Sequence, residues 1–177
     1  MIKTIYAVIL FLIILNPAQA EELSCQQDYP KIIAPDLDQL GQDLKKNDYS
    51  FMQQKTHPSL INYVGGAEAY QQLLKYAQNL LAKSQVEIVN VQSKPPLYSY
   101  IVDHEEICFV PKTITMKVAG QIQAASPSFM VAIRSLQSHQ WTYLDGAGLK
   151  NNPQMLFTLF PNFPKDVKLP FQTDTIK

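Results

Sequence analysis

The sequence lacks a charge bias, since its 15 lysine and arginine residues balance 15 aspartate and glutamate residues. Its largest cluster of basic residues is the pair Lys45 and Lys46. Proteins that bind nucleic acid normally carry a basic face, because phosphate contacts supply much of their affinity. The composition therefore argues against nucleic acid and anionic lipid as partners.

The sequence also lacks the short motifs of common catalytic and metal sites, namely HExxH, CxxC, GxSxG and a glycine-rich phosphate loop. His104, Glu105 and Glu106 are adjacent, but their spacing is not that of a recognised metal site. A polar turn between two strands explains them. We therefore predict no metal site and no cofactor.

Cysteine is scarce, and the sequence contains two, Cys25 and Cys108. In an exported protein an even count favours a disulfide, and closing so long a loop stabilises a chain by about 4 to 5 kcal/mol. The alternative is a pair of buried free thiols. We predict the Cys25–Cys108 disulfide.

Residues 1–20 have the pattern of a secretory signal peptide, in which Lys3 precedes the apolar run Ile5–Leu15 and small residues close the segment. The apolar run is shorter than the roughly 20 residues that span a bilayer, which argues against a membrane anchor. We therefore expect cleavage after Ala20. The mature protein would be periplasmic or secreted, with no membrane association.

The remaining chain has the length of one domain with its own core. We predict an extended segment over residues 21–35, because Pro30 and Pro35 disfavour a helix there. A folded domain is expected over residues 36–160, followed by an irregular tail over residues 161–177.

Helical patterns come first within the domain. One begins at Asp36, and the strongest covers Ala67–Lys83, where an apolar stripe repeats at helical spacing. The stripe consists of Tyr70, Leu73, Leu74, Ala77, Leu80 and Leu81. From Val86 the apolar period changes to two, which predicts strands, and a short helix is expected over Asn152–Phe160. Helices followed by strands indicate the α+β class.

Two prolines fall inside predicted strands, where each implies a sheet edge or a bulge. Ile122 is even-numbered, whereas the bulky Phe129 and Val131 after Pro127 are odd-numbered. A one-residue bulge near Pro127 would return these residues to one face and bend the sheet. We predict that the bent strands wrap around the long helix as a cone with a cavity.

Three motifs carry a family resemblance: THP at Thr56–Pro58, GGAEAY at Gly65–Tyr70 and WTYLDG at Trp141–Gly146. With the order of elements, they make Asp36–Phe160 resemble the nuclear transport factor two-like superfamily, in particular its secreted bacterial members. That resemblance implies a cystatin-like cone, with the N-terminal helices packed in the concave face of a bent antiparallel sheet. The superfamily includes ketosteroid isomerases, polyketide cyclases, dehydratases and non-catalytic binding domains.

Two residues are candidates for catalysis. Asp145 ends a predicted strand before a glycine, where an aspartate commonly caps a turn, and it could also act as a general base. His57 precedes Pro58, where it could cap a helix or move protons. The catalytic carboxylates and tyrosines of the superfamily's enzymes do not align with this chain, so we expect no enzyme.

The expected function is binding of a small apolar molecule in the cone or of a protein partner on the sheet. Six residues are predicted to line the ligand site: Tyr63, Tyr70, Met116, Phe129, Trp141 and Tyr143. One alternative is an isomerase, cyclase or dehydratase that uses Asp145 or His57 as base. Others are a periplasmic inhibitor or immunity-like protein, and a homodimer formed through the sheet.

Overall fold

The structure is a computed structural model, and it describes residues 24–167 together with residues 169–170. The predicted signal peptide, residues 1–20, lies outside the described residues, as do residues 171–177 of the predicted tail. The described chain is α+β, with helices packed against one curled antiparallel sheet that forms a half-barrel. The predicted order of helices followed by strands is confirmed.

The described chain begins with a continuous helical run. Helix α1 spans Cys25–Asp28, a π-helical turn spans Tyr29–Ile33, and α2 spans Ala34–Lys45. The prediction of an extended segment over residues 21–35 is therefore wrong from Cys25 onward. The two prolines of this segment do not interrupt it, because each lies in the first turn of a helical element, where a backbone N–H has no partner within the helix.

Three more helices follow: α3 spans Ser50–Lys55, α4 spans Pro58–Tyr63 and α5 spans Ala67–Lys83. The Asp48 carboxylate accepts a hydrogen bond from the first N–H of α3 at 2.9 Å. At α4 the His57 ring caps the helix, and Pro58 takes the first position. The predicted bounds of α5 are confirmed.

The antiparallel sheet comprises β1 (Val86–Ser93), β2 (Tyr98–Val102), β3 (Glu105–Val118), β4 (Gln121–Ile122), β5 (Ser126–Ser135) and β6 (Thr142–Asp145). Strands β1, β3, β5 and β6 lie side by side in that order. Along one edge β3 pairs first with β2 and then with β1, and along the other it pairs with β5. The long strand β3 is thus shared by both halves of the sheet.

Pro111 lies in the middle of β3 without disturbing the ladder. Its carbonyl accepts a hydrogen bond from the Lys94 N–H at 2.9 Å, so its backbone polar groups face the gap between the end of β1 and the start of β2. The missing N–H therefore falls between two partner strands. The register of β3 with β5 is unbroken along the whole of β5, so the predicted bulge beside Pro127 is wrong.

The change in apolar phase that suggested this bulge has another cause. Ile122 belongs to the short strand β4, and residues 123–125 lie outside any strand. The chain therefore leaves the ladder and re-enters it in β5 with the opposite phase. The register irregularity lies instead in β1, between Ile88 and Asn90, where a bulge increases the twist and bend of the strand.

The C-terminal face of the sheet, named for the end of the chain that covers it, is densely packed. It is covered by α6 (Gly146–Asn151), α7 (Gln154–Leu159) and the segment after them. The short helix predicted over Asn152–Phe160 is confirmed as α7, and α6 was not predicted. The described part of the predicted irregular tail contains no helix or strand, but Phe163 and Leu169 are buried in this core. The strands contribute Ile107, Phe109, Phe129, Val131, Ile133 and Leu144.

The N-terminal face of the sheet carries a second core, covered by α1, the π-helical turn and α2. The predicted Cys25–Cys108 disulfide is confirmed, and it joins α1 to β3 within this core. Helix α2 approaches β1 closely because Gly41 has no side chain: a Cβ there would lie 3.1 Å from the Val91 Cβ. The buried members of this core are Cys25, Ile33, Leu37, Leu40, Cys108, Val110, Met130, Ala132, Trp141 and Tyr143.

Helix α5 lies over the same face, but it packs less tightly than the prediction requires. Tyr70 in its first turn is buried, whereas Leu73 and Leu80 of the predicted apolar stripe are 46% and 51% exposed. The main contact with β1 comes from α2 instead. The apolar stripe predicted for α5 is therefore only partly buried, and a space remains between this helix and the strands.

Candidate functional site

The space under α5 is a cavity of about 220 Å³ between α2, α5 and the N-terminal face of the sheet. Its walls are largely aliphatic. Helix α2 contributes Leu37, Leu40 and Leu44, helix α5 contributes Leu74, Ala77 and Leu81, and the sheet contributes Ile88, Val91, Ile114 and Met130. Water in an apolar cavity of this kind would find few hydrogen-bond partners, so the cavity favours apolar ligands.

A second compartment of about 70 Å³ adjoins the first. The two compartments share four wall residues, Leu40, Met52, Met130 and Asp145. Two of these are methionines, whose unbranched side chains change rotamer at low cost. The two adjoining compartments are together called the groove below.

The polar end of the groove is an ion pair between Lys112 on β3 and Asp145 at the end of β6. The Lys112 side chain is only 4% exposed, and Asp145 is the counter-ion that compensates its burial. The second carboxylate oxygen of Asp145 accepts a hydrogen bond from the Ala147 N–H at 2.8 Å and caps α6. Asp145 thus both ends a strand and forms part of the cavity wall.

A second polar group surrounds Asp36 at the margin of the smaller compartment. The Tyr143 hydroxyl donates to Asp36 Oδ2 at 2.7 Å, and Lys55 Nζ donates to the same oxygen at 2.8 Å. Burial raises the pKa of the Tyr143 hydroxyl, and its hydrogen bond to the Asp36 carboxylate and the charge of that carboxylate raise it further. Tyr143 therefore stays protonated and acts as a donor.

The wall of the smaller compartment also contains a hydroxyl pair. Thr56 Oγ1 donates to the Met52 carbonyl at 2.7 Å, so the Tyr70 hydroxyl, also at 2.7 Å, is the donor to Thr56. Burial raises the pKa of Tyr70, and the charge of Asp145 raises it further. This pair joins the first turn of α5 to α3.

The six residues predicted to line a ligand site lie in different parts of the fold. Tyr70 and Tyr143 line the smaller compartment. Tyr63 ends α4 and is 54% exposed, and Met116 is half-buried in β3. Phe129 belongs to the C-terminal core, and Trp141 is buried in the N-terminal core, where its indole N–H donates to Asp28 at 3.0 Å.

The two predicted catalytic candidates have different surroundings in the structure. Asp145 lines both compartments. His57 packs on Phe160, its Nε2 lies 3.1 Å from Glu105 Oε1, and its Nδ1 lies 2.8 Å from the Ser59 hydroxyl. This serine–histidine–glutamate arrangement belongs to the α4 cap, because the Ser59 N–H also donates to Nδ1 at 3.2 Å. The histidine ring is already used in positioning α4.

Sequence reasoning missed Lys112, although the pattern contained a signal for it. Along β3, Lys112 shares its phase with Ile114, which lines the same cavity. A lysine in the phase of buried residues predicts a paired or functional charge, because an unpaired ammonium group is rarely buried.

One group in the described part of the chain brings two cysteines and a carboxylate together: Cys25, Glu106 and Cys108. Both sulfurs are used in the disulfide. The Glu106 carboxylate is held by Arg134 at 2.8 Å and by the N–H groups of Ser24 and Cys25. This group anchors α1 to the sheet, and its ligand atoms are occupied.

Comparison of the chain with protein families, curated proteins and solved structures finds no match. Among the described helices, none combines the length and the apolar character needed to cross a membrane.

Proposed function

We propose that this protein is an exported, non-catalytic binding domain that holds a small apolar molecule in the groove beneath α5. The observation that carries the proposal is the aliphatic cavity of about 220 Å³ between α5 and the sheet. A void of this size forfeits dispersion contacts and stabilises nothing by itself. Its presence next to a set of buried polar groups is typical of a ligand site.

The size of the cavity indicates the size of the ligand. An apolar cavity of about 150 Å³ holds benzene, so scaling by volume gives roughly nine non-hydrogen atoms for the 220 Å³ cavity. Sites for drug-sized ligands have about 300–1,000 Å³. The ligand of the main compartment is therefore a small molecule, and the adjoining 70 Å³ compartment can take a substituent.

We also propose that the half-barrel is the cystatin-like cone of the nuclear transport factor two-like superfamily, with the N-terminal helices in the concave face. Support comes from α2 and α5 lying over one face of a curled sheet. A short parallel bridge between Thr56 and Tyr143 adds support, since it ties the segment between α3 and α4 to the last strand.

A non-catalytic function is favoured over an isomerase, cyclase or dehydratase by the state of Asp145. One of its carboxylate oxygens accepts from Lys112 and the other from the Ala147 N–H. A general base must reach the proton that it abstracts. Protonation of Asp145 would weaken its ion pair with the buried Lys112 ammonium group and its cap of α6, and His57 does not line the groove.

The proposal predicts that filling the cavity abolishes ligand capture. Ala77→Leu places extra carbon atoms in the cavity, and we expect it to lower affinity for α-methylstyrene, an apolar probe of the predicted size, at least tenfold. We also expect the free energy of unfolding to rise by about 1 kcal/mol, because filled cavity volume restores packing contacts. NMR titration measures the affinity, and thermal unfolding measures the stability.

The matched control is Ala82→Leu, the same change at an exposed position of α5. It is expected to leave the affinity for α-methylstyrene unchanged. The proposal fails if the unaltered protein does not bind the probe, or if both variants reduce binding equally.

A further inference from the structure

The Ser128 hydroxyl has no hydrogen-bond partner in the described part of the chain, although the residue is only 6% exposed. A buried unpaired hydroxyl costs about 1–3 kcal/mol, so each such group in a native protein requires an explanation. Ser128 lies on β5 two residues before Met130, which lines both compartments. Alternate residues of a strand share a face, so Ser128 lies on the same face of the sheet as Met130, beside the cavity and not among the residues that line either compartment.

Lys112 has unused donor capacity at the same place. An ammonium group offers three N–H donors, and among the described residues Asp145 is its single hydrogen-bond partner. Lys112 and Ser128 are directly opposite each other in the register of β3 with β5. Their side chains therefore stand side by side on one face, with unused donors on both.

A carbonyl oxygen has two lone pairs and can accept from both donors at once. We infer that the molecule bound in the groove carries an uncharged carbonyl group, as a ketone, ester, lactone or amide does, whose oxygen accepts hydrogen bonds from Lys112 Nζ and Ser128 Oγ. This inference rests on the proposed function, since it names the ligand class of the same cavity. The aliphatic walls contact the remainder of the molecule.

The charge balance of the site favours an uncharged group over a carboxylate. Lys112 is already paired with Asp145, and Lys55 with Asp36. A carboxylate ligand would bring a net negative charge against largely aliphatic walls, where an uncompensated ion is disfavoured. A carbonyl oxygen satisfies the two donors without adding charge.

The test uses three probes of nearly equal size and shape: acetophenone with a carbonyl oxygen, α-methylstyrene with a methylene group in its place, and benzoate with a charged carboxylate. Affinities are measured by NMR titration on the purified protein and on Ser128→Ala. We expect the variant to bind acetophenone about fivefold more weakly and α-methylstyrene equally well, since one neutral hydrogen bond is lost. Benzoate is expected to bind the unaltered protein more weakly than acetophenone.

Lys112→Met provides a second variant of similar length without donors. It is expected to weaken acetophenone binding tenfold or more relative to α-methylstyrene, because hydrogen bonds from charged donors are stronger. Thermal unfolding checks that each variant is folded. Ser128→Ala is expected to be at least as stable as the unaltered protein, since it removes an unpaired hydroxyl.

The inference is overturned if α-methylstyrene binds but neither variant changes the preference for acetophenone, which is also the result expected if ordered water satisfies both donors. Tighter binding of benzoate than of acetophenone overturns the uncharged class. Failure of α-methylstyrene to bind at all contradicts the proposed function itself, and so distinguishes the two failures.

Discussion

The two faces of one sheet differ in how completely they are packed. On the C-terminal face, Phe109 packs edge-on against Phe129 and Phe163, with ring centroids 5.8 and 6.1 Å apart. On the N-terminal face, α5 stands over a cavity of about 220 Å³. Because alternate residues of the same strands build both faces, the difference arises from the elements that cover them.

The covering elements explain the contrast. Short helices and the irregular segment on the C-terminal side follow the sheet closely and supply large side chains such as Leu156 and Phe160. Helix α5 is anchored by buried Tyr70 near its start, and its later turns place only Leu74, Ala77 and Leu81 at the cavity wall. The C-terminal face is therefore filled by side chains, and the N-terminal face leaves a cavity beneath α5.

The largest expected effect compares truncations on the two faces. Phe109→Ala removes a fully buried ring from the packed face, and we expect the free energy of unfolding to fall by about 3–5 kcal/mol. Leu74→Ala at the cavity wall is expected to cost about 1 kcal/mol, because this side chain is only half-buried and already borders empty space. Chemical denaturation measures both. Equal losses would mean that the two faces do not differ in packing.

A second comparison concerns two glycines of α6. A Cβ at Gly146 would lie 2.5 Å from the Phe129 carbonyl oxygen and would also overlap its ring, whereas Gly148 faces open space. We expect Gly146→Ala to destabilise the protein by about 2 kcal/mol or more, because the backbone would have to shift to relieve the overlap. Gly148→Ala is expected to stabilise it by about 0.5–1 kcal/mol through helix propensity. Thermal unfolding that shows both changes to be neutral would contradict a tightly packed C-terminal face.

Features determined by local sequence could be predicted. The bounds of α5 follow from its entry after two glycines and its apolar period, and the disulfide follows from the count of cysteines. The two N-terminal prolines misled the prediction, because proline tolerates the first turn of a helix as well as extended backbone. Local pattern alone does not distinguish these two uses.

The residues that line the candidate site could not be predicted from the alternation within any single strand. Phe129 and Tyr143 are both odd-numbered, and the prediction placed them on one surface. In the structure Tyr143 pairs with Ala132, so that Tyr143 lies on the N-terminal face and Phe129 on the C-terminal face. The alternation within a strand fixes which residues share a face, but the register between strands decides which face that is.

The smallest expected effect concerns the Tyr143 hydroxyl at the margin of the smaller compartment at high pH. Because the pKa of Tyr143 is raised in the folded protein, above about pH 10 the unfolded chain loses this proton while the folded chain keeps it. The hydroxyl therefore contributes stability that is complete below the unfolded pKa and is lost as pH rises beyond it. Between pH 10 and 11 we expect the unaltered protein to lose up to about 1.4 kcal/mol more than Tyr143→Phe does.

Denaturant unfolding at a series of pH values measures this difference, and Tyr98→Phe at an exposed position controls for the loss of a hydroxyl. The same slope in the unaltered protein and in Tyr143→Phe would mean that water reaches the Tyr143 hydroxyl. The Tyr143 hydroxyl would then be open to solvent, and the contrast between the packed face and the face that carries the cavity would be lost at that end.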